Sequence, residues 1–121
     1  MTHDKSSKEE YKRYEVLKLR QAAKEISHLK HQPDVLVVAI NNIEVFKYTP
    51  DFRYVEAGAF IFEEYKGYMR ERHDSLLRMK CASAVYTGIE FRLYEGSGKN
   101  ARLTRVYLNG KAVRQSKKKD K

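Results

Sequence analysis

The spacing of apolar residues predicts a helix near the start of the chain. Serines at positions 6 and 7 stand three residues ahead of glutamates at positions 9 and 10, which is the pattern of a capping box. Apolar residues then recur at the helical period as far as Leu29. The expected helix begins near Ser7 and ends near His31, because Pro33 disfavours helical geometry in the residue before it.

Residues 35–48 read as two β-branched, apolar runs that flank Asn41 and Asn42. Asparagine tolerates the positive φ that a two-residue turn requires, so this stretch predicts a β-hairpin. One predicted face carries Leu36, Val38, Ile40, Ile43 and Val45, and the other carries Val35, Val37, Ala39, Phe46 and Tyr48. Because both faces are apolar, we expect the hairpin to lie inside the sheet and to be covered on both sides.

A second long helix is predicted to follow the hairpin. Thr49, Pro50 and Asp51 match a helix start, with a capping hydroxyl, proline at the first helical position and an acid near the positive end of the dipole. The predicted helix begins there or one turn later and runs to about Lys80. Its proposed buried stripe is Gly58, Ile61, Phe62, Tyr65, Tyr68, Met69, Arg72 and Leu76.

Alternating residues and two turn signals predict three strands within residues 87–115, joined as an antiparallel meander. Asn109 and Gly110 form the stronger of the two turns. The predicted register sets Tyr94 opposite Arg102 and Arg92 opposite Thr104. The expected core face then carries Ile89, Phe91, Leu93, Leu103 and Tyr107, and the expected solvated face carries Arg92, Tyr94, Arg102, Thr104 and Lys111.

These elements follow one another as helix, two strands, helix and three strands. This order predicts an α+β fold, with two long helices packed on an antiparallel sheet. Residues 7–115 are expected to form a single domain, since the chain has 121 residues and one core is enough at that length. Residues 1–6 are expected to be a flexible N-terminus and residues 116–121 a flexible basic tail.

The formal charge of +9 is concentrated at the C-terminal end. Residues 1–85 hold 15 Lys and Arg against 13 Asp and Glu, a net of +2, whereas residues 86–121 hold 10 against 3, a net of +7. This distribution favours a protein that contacts the phosphate backbone of nucleic acid, DNA or RNA, with little sequence specificity. The candidate contact residues are Arg92, Tyr94, Lys99, Arg102, Lys111, Arg114, Lys117, Lys118, Lys119 and Lys121.

Among the nine tyrosines, Tyr94 is the one expected to stack on an unpaired base, because it shares the predicted basic face. Tyr11 and Tyr14 are second choices, since they lie in the first turns of a basic helix.

Two other readings of the basic surface remain open. Alternating Arg and Thr on a strand and a terminal run of lysine also serve solubility alone. Alternatively, the protein is a binding module or inhibitor, of the kind that mobile elements encode, which docks on another protein. An exposed apolar patch on the first helix or the hairpin would favour that reading, or a homo-oligomer, which we also expect.

Catalytic and metal sites have little support in the sequence, and no reaction or cofactor is predicted. Asp34, Glu44 and Lys47 loosely match the acids and lysine of metal-dependent nucleases, but a spacing of three should turn Glu44 and Lys47 to opposite sides of a regular strand. His28 and His31 have the spacing of two metal ligands without a third nearby.

The cellular setting follows from a few absences in the sequence. Cys81 is the only cysteine, and no signal peptide is recognisable, which favours a reducing, cytoplasmic location. The longest purely apolar run covers residues 35–40, far short of the roughly 20 residues that a membrane-spanning helix needs. We therefore expect no association with a membrane.

Overall fold

The computed structural model describes residues 5–67 and 73–113. Its two helices are α1 (Lys5–Ala22) and α2 (His73–Val85). Its strands are β1 (Ser27–His31), β2 (Leu36–Ile40), β3 (Ile43–Tyr48), β4 (Phe52–Glu56), β5 (Ala59–Lys66), β6 (Glu90–Glu95), β7 (Arg102–Leu108) and β8 (Lys111–Ala112). A short 3₁₀ turn, Gly98–Asn100, precedes β7.

The strands form a six-stranded sheet in the order β1-β4-β5-β6-β7-β8 and a separate two-stranded sheet of β2 and β3. β5 and β6 are parallel, with α2 between them in the chain, and every other pair in the described sheets is antiparallel. The predicted α+β class is confirmed. The predicted element order lacked three strands, and the main sheet is mixed because one helical crossover makes a parallel pair.

Two cores lie on the two faces of the main sheet. Beneath α1, the buried side chains are Leu17, Ile26, Phe52, Tyr54, Ile61 and Tyr65. On the opposite face, α2 and the β2–β3 hairpin enclose Leu36, Val38, Tyr48, Phe62, Met79, Ala82, Phe91, Leu93 and Tyr107. The central strands are therefore covered on both sides.

The first helix ends at Ala22 and not near His31. Lys24 has a left-handed backbone with φ of 66°, and the amide of Glu25 donates to the carbonyl of Arg20 at 2.9 Å, which closes the helix end. The chain then enters β1. Ile26 and Leu29, which continue the helical stripe in the sequence, contact the core beneath α1 from this later segment.

β4 and β5 occupy the first half of the second predicted helix. They pair about a tight turn at Ala57 and Gly58, whose φ values are 52° and 80°. All residues from 61 to 65 are buried because both faces of β5 are covered. An unbroken apolar run of this kind cannot be told from a buried helix by its periodicity, so the helix prediction was wrong here. The helical half of the region, α2, begins at His73.

The predicted β2–β3 hairpin is present, with Asn41 and Asn42 at φ of 53° and 66°. A β-bulge interrupts its register, so that Phe46 lies opposite Val38 and faces the core. The predicted composition of the two faces is wrong beyond this bulge. The expectation that both faces are covered is also wrong, since Val37 and its neighbours on the outer face are exposed.

The C-terminal meander is antiparallel as predicted, but its register differs from the predicted one. A second bulge, at Thr104, places Leu103 opposite Tyr94 and Arg105 opposite Leu93. Arg92 lies opposite Val106, and not opposite Thr104 as predicted. The predicted solvated face is therefore not one surface, because α1 covers the part that holds Arg92 and Tyr94.

A buried ion pair joins α1 to the sheet. The Nε and Nη2 atoms of Arg13 donate to the two carboxylate oxygens of Glu63 at 2.7 and 2.9 Å, and the Tyr54 hydroxyl donates to the same carboxylate at 2.6 Å. The two charged side chains are 6% and 0% exposed. The guanidinium also lies over the ring of Tyr94, 4.0 Å from its centroid.

Gly98 lets the 3₁₀ turn approach α1 closely. A Cβ at this position would lie 2.1 Å from the carbonyl oxygen of Glu9, so no larger residue fits without a shift of the backbone. The amide of Gly98 donates to the Glu9 carboxylate at 2.8 Å. α1 therefore fixes the loop that leads into β7.

The buried pair predicts a large loss of stability on removal of one partner. Glu63→Gln leaves the Arg13 charge buried without a counter-ion, and we expect the free energy of unfolding in urea to fall by about 3–5 kcal/mol. The control is Glu15→Gln, which breaks the exposed pair between Glu15 and Lys18 and should cost little. Equal losses in the two variants would contradict this role of the buried pair.

Candidate nucleic-acid interface

Arg92 and Tyr94 lie on the face of the sheet that α1 covers, and not on a solvated face. Arg92 donates to Glu90 at 2.7 Å and to Glu56 at 2.9 Å, and its side chain is only 15% exposed. Tyr94 is half-buried, and one face of its ring is occupied by the Arg13 guanidinium. The charge of Arg92 is therefore already neutralised by acids of the sheet.

This neutralisation is part of a longer ladder of charges beneath α1. Arg20, near the end of the helix, donates to Glu25 at 2.8 Å and to Glu56 at 3.1 Å. Glu56 also accepts from Arg92, and Arg92 in turn donates to Glu90, the last acid of this row of ion pairs. Although burial raises the pKa of Glu56, its bonds to Arg92 and Arg20 lower that pKa overall, so the ionised form of Glu56 is favoured.

β7 carries cations that are not neutralised in this way. Lys99, in the 3₁₀ turn before the strand, and Arg102, its first residue, are exposed, as is Lys111 in β8. Arg105 is half-buried, with its guanidinium 6.0 Å from the centroid of the Tyr107 ring. Within residues 5–67 and 73–113, none of these four cations forms an ion pair. We call these four residues the β7 cation row.

The bulge at Thr104 sets two members of the row on one face. Arg102 lies opposite Glu95, and Arg105 lies opposite Leu93, which is two residues from Glu95 and therefore on the same face of β6. Glu95 is the acid nearest to the row in the register, and its carboxylate accepts a bond from the Thr104 hydroxyl at 2.7 Å. A strand of this length spans about 20 Å, so the row extends over several phosphate spacings of a nucleic acid.

Five of the predicted contact residues follow the row in the sequence but lie outside the described residues. They are Arg114, Lys117, Lys118, Lys119 and Lys121. Of the five predicted residues that are described, the structure brings Lys99, Arg102 and Lys111 to the surface, and it places Arg92 and Tyr94 beneath α1.

A second polar site lies at the carboxyl ends of the parallel strands. Glu64, buried in β5, accepts from the Tyr48 hydroxyl at 3.0 Å and from Lys66 at 3.1 Å. Asp51 accepts from the amide of Tyr65 at 2.8 Å. Burial, together with the charges of Glu64 and Glu10, raises the pKa of Asp51 to about 8. The fold therefore favours the neutral form of this carboxyl group relative to the unfolded chain.

The surface beside this site is a cleft of about 310 Å³ with mixed charge. Its lining is Lys47, Tyr48, Thr49, Glu64, Lys66, Asp74, Ser75 and Arg78. Two of its three cations are already paired within the cleft, Lys66 with Glu64 at 3.1 Å and Arg78 with Asp74 at 3.5 Å.

The acids of the nuclease alternative do not come together. Asp34 lies before β2, 3.8 Å from Arg53, while Glu44 lies next to the turn at the far end of the hairpin. The bulge does turn Glu44 and Lys47 to one face, because they lie opposite Ala39 and Val37, and the expectation that they face opposite sides was wrong. Within the described ranges, no group of three or more His, Cys, Asp or Glu side chains could hold a metal ion.

The two histidines considered as metal ligands serve different contacts. The His31 ring is 2.8 Å from the carboxylate of Glu10 and packs against both Tyr14 and Phe52, with ring centroids 4.6 and 5.0 Å away. His28 is exposed in β1, 3.0 Å from the hydroxyl of Ser27. Tyr14 therefore packs against the rings of His31 and Phe52, whereas Tyr11 is 55% exposed on α1.

An apolar patch is exposed on the hairpin. It consists of Val35, Val37, Ile40, Ile43 and Val45, each between 39% and 67% exposed. We call it the apolar hairpin surface. Several exposed apolar side chains on one hairpin are typical of a protein contact.

Sequence reasoning missed Arg105 and the acids Asp51 and Glu64. Arg105 joins the row only because of the bulge, which no residue in the sequence signals. Glu63 and Glu64 fall outside the buried stripe of the predicted second helix, and their burial follows from the strand that they occupy.

Asp51 predicts a pH dependence of stability. Its pKa rises from 3.8 in the unfolded chain to about 8 in the fold, so between these values the native state holds a proton that the unfolded chain releases. The free energy of unfolding should therefore fall as pH rises through this window. Asp51→Asn should flatten this dependence in urea unfolding curves, whereas Asp34→Asn, at an exposed carboxylate, should not. Parallel curves for wild type and Asp51→Asn would be the contrary result.

Comparison with known proteins gives no match to this chain. No protein-family model fits it, and no curated protein or solved structure is significantly similar to it. Neither of the helices that the structure describes is long and apolar enough to cross a membrane.

Proposed function

We propose that this protein binds nucleic acid, and that β7 and the residues that follow it contact the phosphate backbone of the nucleic acid. The observation that carries the proposal is the β7 cation row, four cations without an ion-pair partner in the described part of the chain. Lysine and arginine on a strand edge contact phosphates and release the counterions condensed on nucleic acid, which supplies affinity independent of sequence.

The position of the row at the sheet edge supports this proposal. β8 pairs only with the last two residues of β7, Tyr107 and Leu108, and the amide of Val113 donates to Val106 at 2.8 Å. The first half of the strand, which contains Arg102, therefore has no neighbouring described strand beyond it. A nucleic-acid backbone can approach this half without displacing any strand that the structure describes.

The rings near the row favour phosphate contacts over base stacking. Tyr107 is buried, and Tyr94 has one face covered by Arg13. Affinity for single strands depends largely on stacking platforms, whereas duplex affinity depends on charge. We therefore expect a duplex to bind at least as tightly as a single strand. We also expect little discrimination between sequences, because contacts to phosphates carry no sequence information.

The protein-docking alternative would use a different surface. The apolar hairpin surface lies in the second sheet and not on β7. It adds nothing to phosphate binding, and a contact there is compatible with nucleic acid on β7.

The test is the salt dependence of binding to a short labelled DNA duplex, measured by fluorescence anisotropy. Removing two phosphate contacts with Lys99→Gln/Arg102→Gln should lower the slope of log affinity against log salt by about 1.8. The matched control, Lys24→Gln/Lys30→Gln, removes the same charge at exposed positions in β1 and just before it, at the opposite edge of the sheet.

The control variant should retain most of the wild-type slope. Equal changes in both double variants would mean that only net charge matters, which would refute a site on β7. Absence of binding by the wild type at low salt would refute the proposed function as a whole.

A further inference from the structure

The β2–β3 sheet has one edge at which backbone groups form hydrogen bonds to a side chain and another edge that no described strand covers. On the β2 edge, the Tyr86 hydroxyl accepts from the amide of Val37 at 3.1 Å and donates to its carbonyl at 3.0 Å. The other edge belongs to β3, and no strand in the described ranges pairs with it. An open edge presents unpaired N–H and C=O groups that can bond to another strand.

The register shows which groups face this open edge. Lys47 lies opposite Val37, whose N–H and C=O point away from β3 to Tyr86. In an antiparallel pair, both members of such a position turn their backbone groups outward, so those of Lys47 point away from β2. The pair next to the two-residue turn is hydrogen bonded, so the following pair, Ala39 and Glu44, also turns its groups outward.

The side chains of these two edge residues are complementary. The bulge between them places Glu44 and Lys47 on the same face of β3, and both are exposed. Within the described residues, neither forms an ion pair. One strand edge thus carries an acid and a base, three residues apart, each with outward backbone groups.

We infer that β3 pairs with β3 of a second copy of this chain, antiparallel about a two-fold axis. This register places Glu44 opposite the partner's Lys47, and Lys47 opposite the partner's Glu44, so the charge pair and its two backbone hydrogen bonds each occur twice in the dimer. Between them, Val45 lies opposite the partner's Phe46. The result is one four-stranded sheet in the order β2-β3-β3-β2.

Charge is the reason to assign a second copy and not an unrelated strand. Lysine at an edge strand discourages pairing with arbitrary partners, and in this register the acid that meets it comes from the same sequence. A parallel self-pairing in register would set like charges side by side. The two-fold antiparallel register also brings the exposed Val45 side chains of both copies close together, because each lies opposite the partner's Phe46.

This inference does not rest on nucleic-acid binding, since it concerns another sheet. The measurement is sedimentation equilibrium of the full chain without nucleic acid. We expect the wild type to approach twice the chain mass of 14.3 kDa as concentration rises. Glu44→Lys and Lys47→Glu each set two like-charge pairs across the axis, and each should weaken dimerisation about tenfold or more.

Mixing the two single variants distinguishes a contact that involves positions 44 and 47 of both copies from a contact elsewhere on the protein. A Glu44→Lys chain carries lysine at both positions and a Lys47→Glu chain carries glutamate at both, so a mixed dimer regains two opposite-charge pairs. The mixture should therefore associate at concentrations where each variant alone is monomeric. Lys30→Glu, an exposed charge reversal on β1, is the control and should leave the dimer intact.

Three results would overturn the inference. The first is a wild type that stays monomeric up to millimolar concentration. The second is a dimer that neither single variant weakens. The third is a pair of weakened variants that do not associate when they are mixed, since that would exclude the contact between Glu44 and the partner's Lys47.

Discussion

The bond between Arg13 and Glu63 is the interaction on which the arrangement of this molecule depends. Glu63 and Glu64 are adjacent in a strand that is buried on both faces, so their carboxylates point into opposite layers and each needs its own partner. Arg13 pairs with the Glu63 carboxylate and thereby holds α1 on the sheet. Because α1 in turn fixes the 3₁₀ turn at Gly98, a buried charge pair positions the start of the strand that carries the exposed cations.

Two β-bulges connect the fold to the proposed contacts. In a regular strand, residues three apart face opposite sides, yet the bulge in β3 aligns Glu44 with Lys47 and the bulge in β7 aligns Arg102 with Arg105. Each bulge brings two side chains that are three residues apart, and that would face opposite sides of a regular strand, onto one surface. The nucleic-acid proposal and the dimer inference therefore depend on the same kind of backbone irregularity, at two separate sheets.

The features that the sequence predicts are those set by local chemistry. Asn41 and Asn109 mark turns because their positive φ values are tolerated at low cost, and the α+β class follows from the mixture of patterns. The sequence of β4 and β5 predicts a helix because burial on both faces of β5 removes the alternation that marks a strand. The neutralisation of Arg92 was hidden for another reason, since Glu56 lies 36 positions away in the chain and meets it only through the sheet.

The central claim is that nucleic acid contacts the β7 cation row, and the most direct measurement is an NMR titration with a short DNA duplex. Backbone amide shifts should change most from Lys99 to Arg105 and near Lys111, at low salt and in proportion to occupancy. Amides of β1, at the opposite edge of the sheet, should remain nearly unchanged. Changes centred on β1 or on the apolar hairpin surface, or no changes at all, would contradict the account.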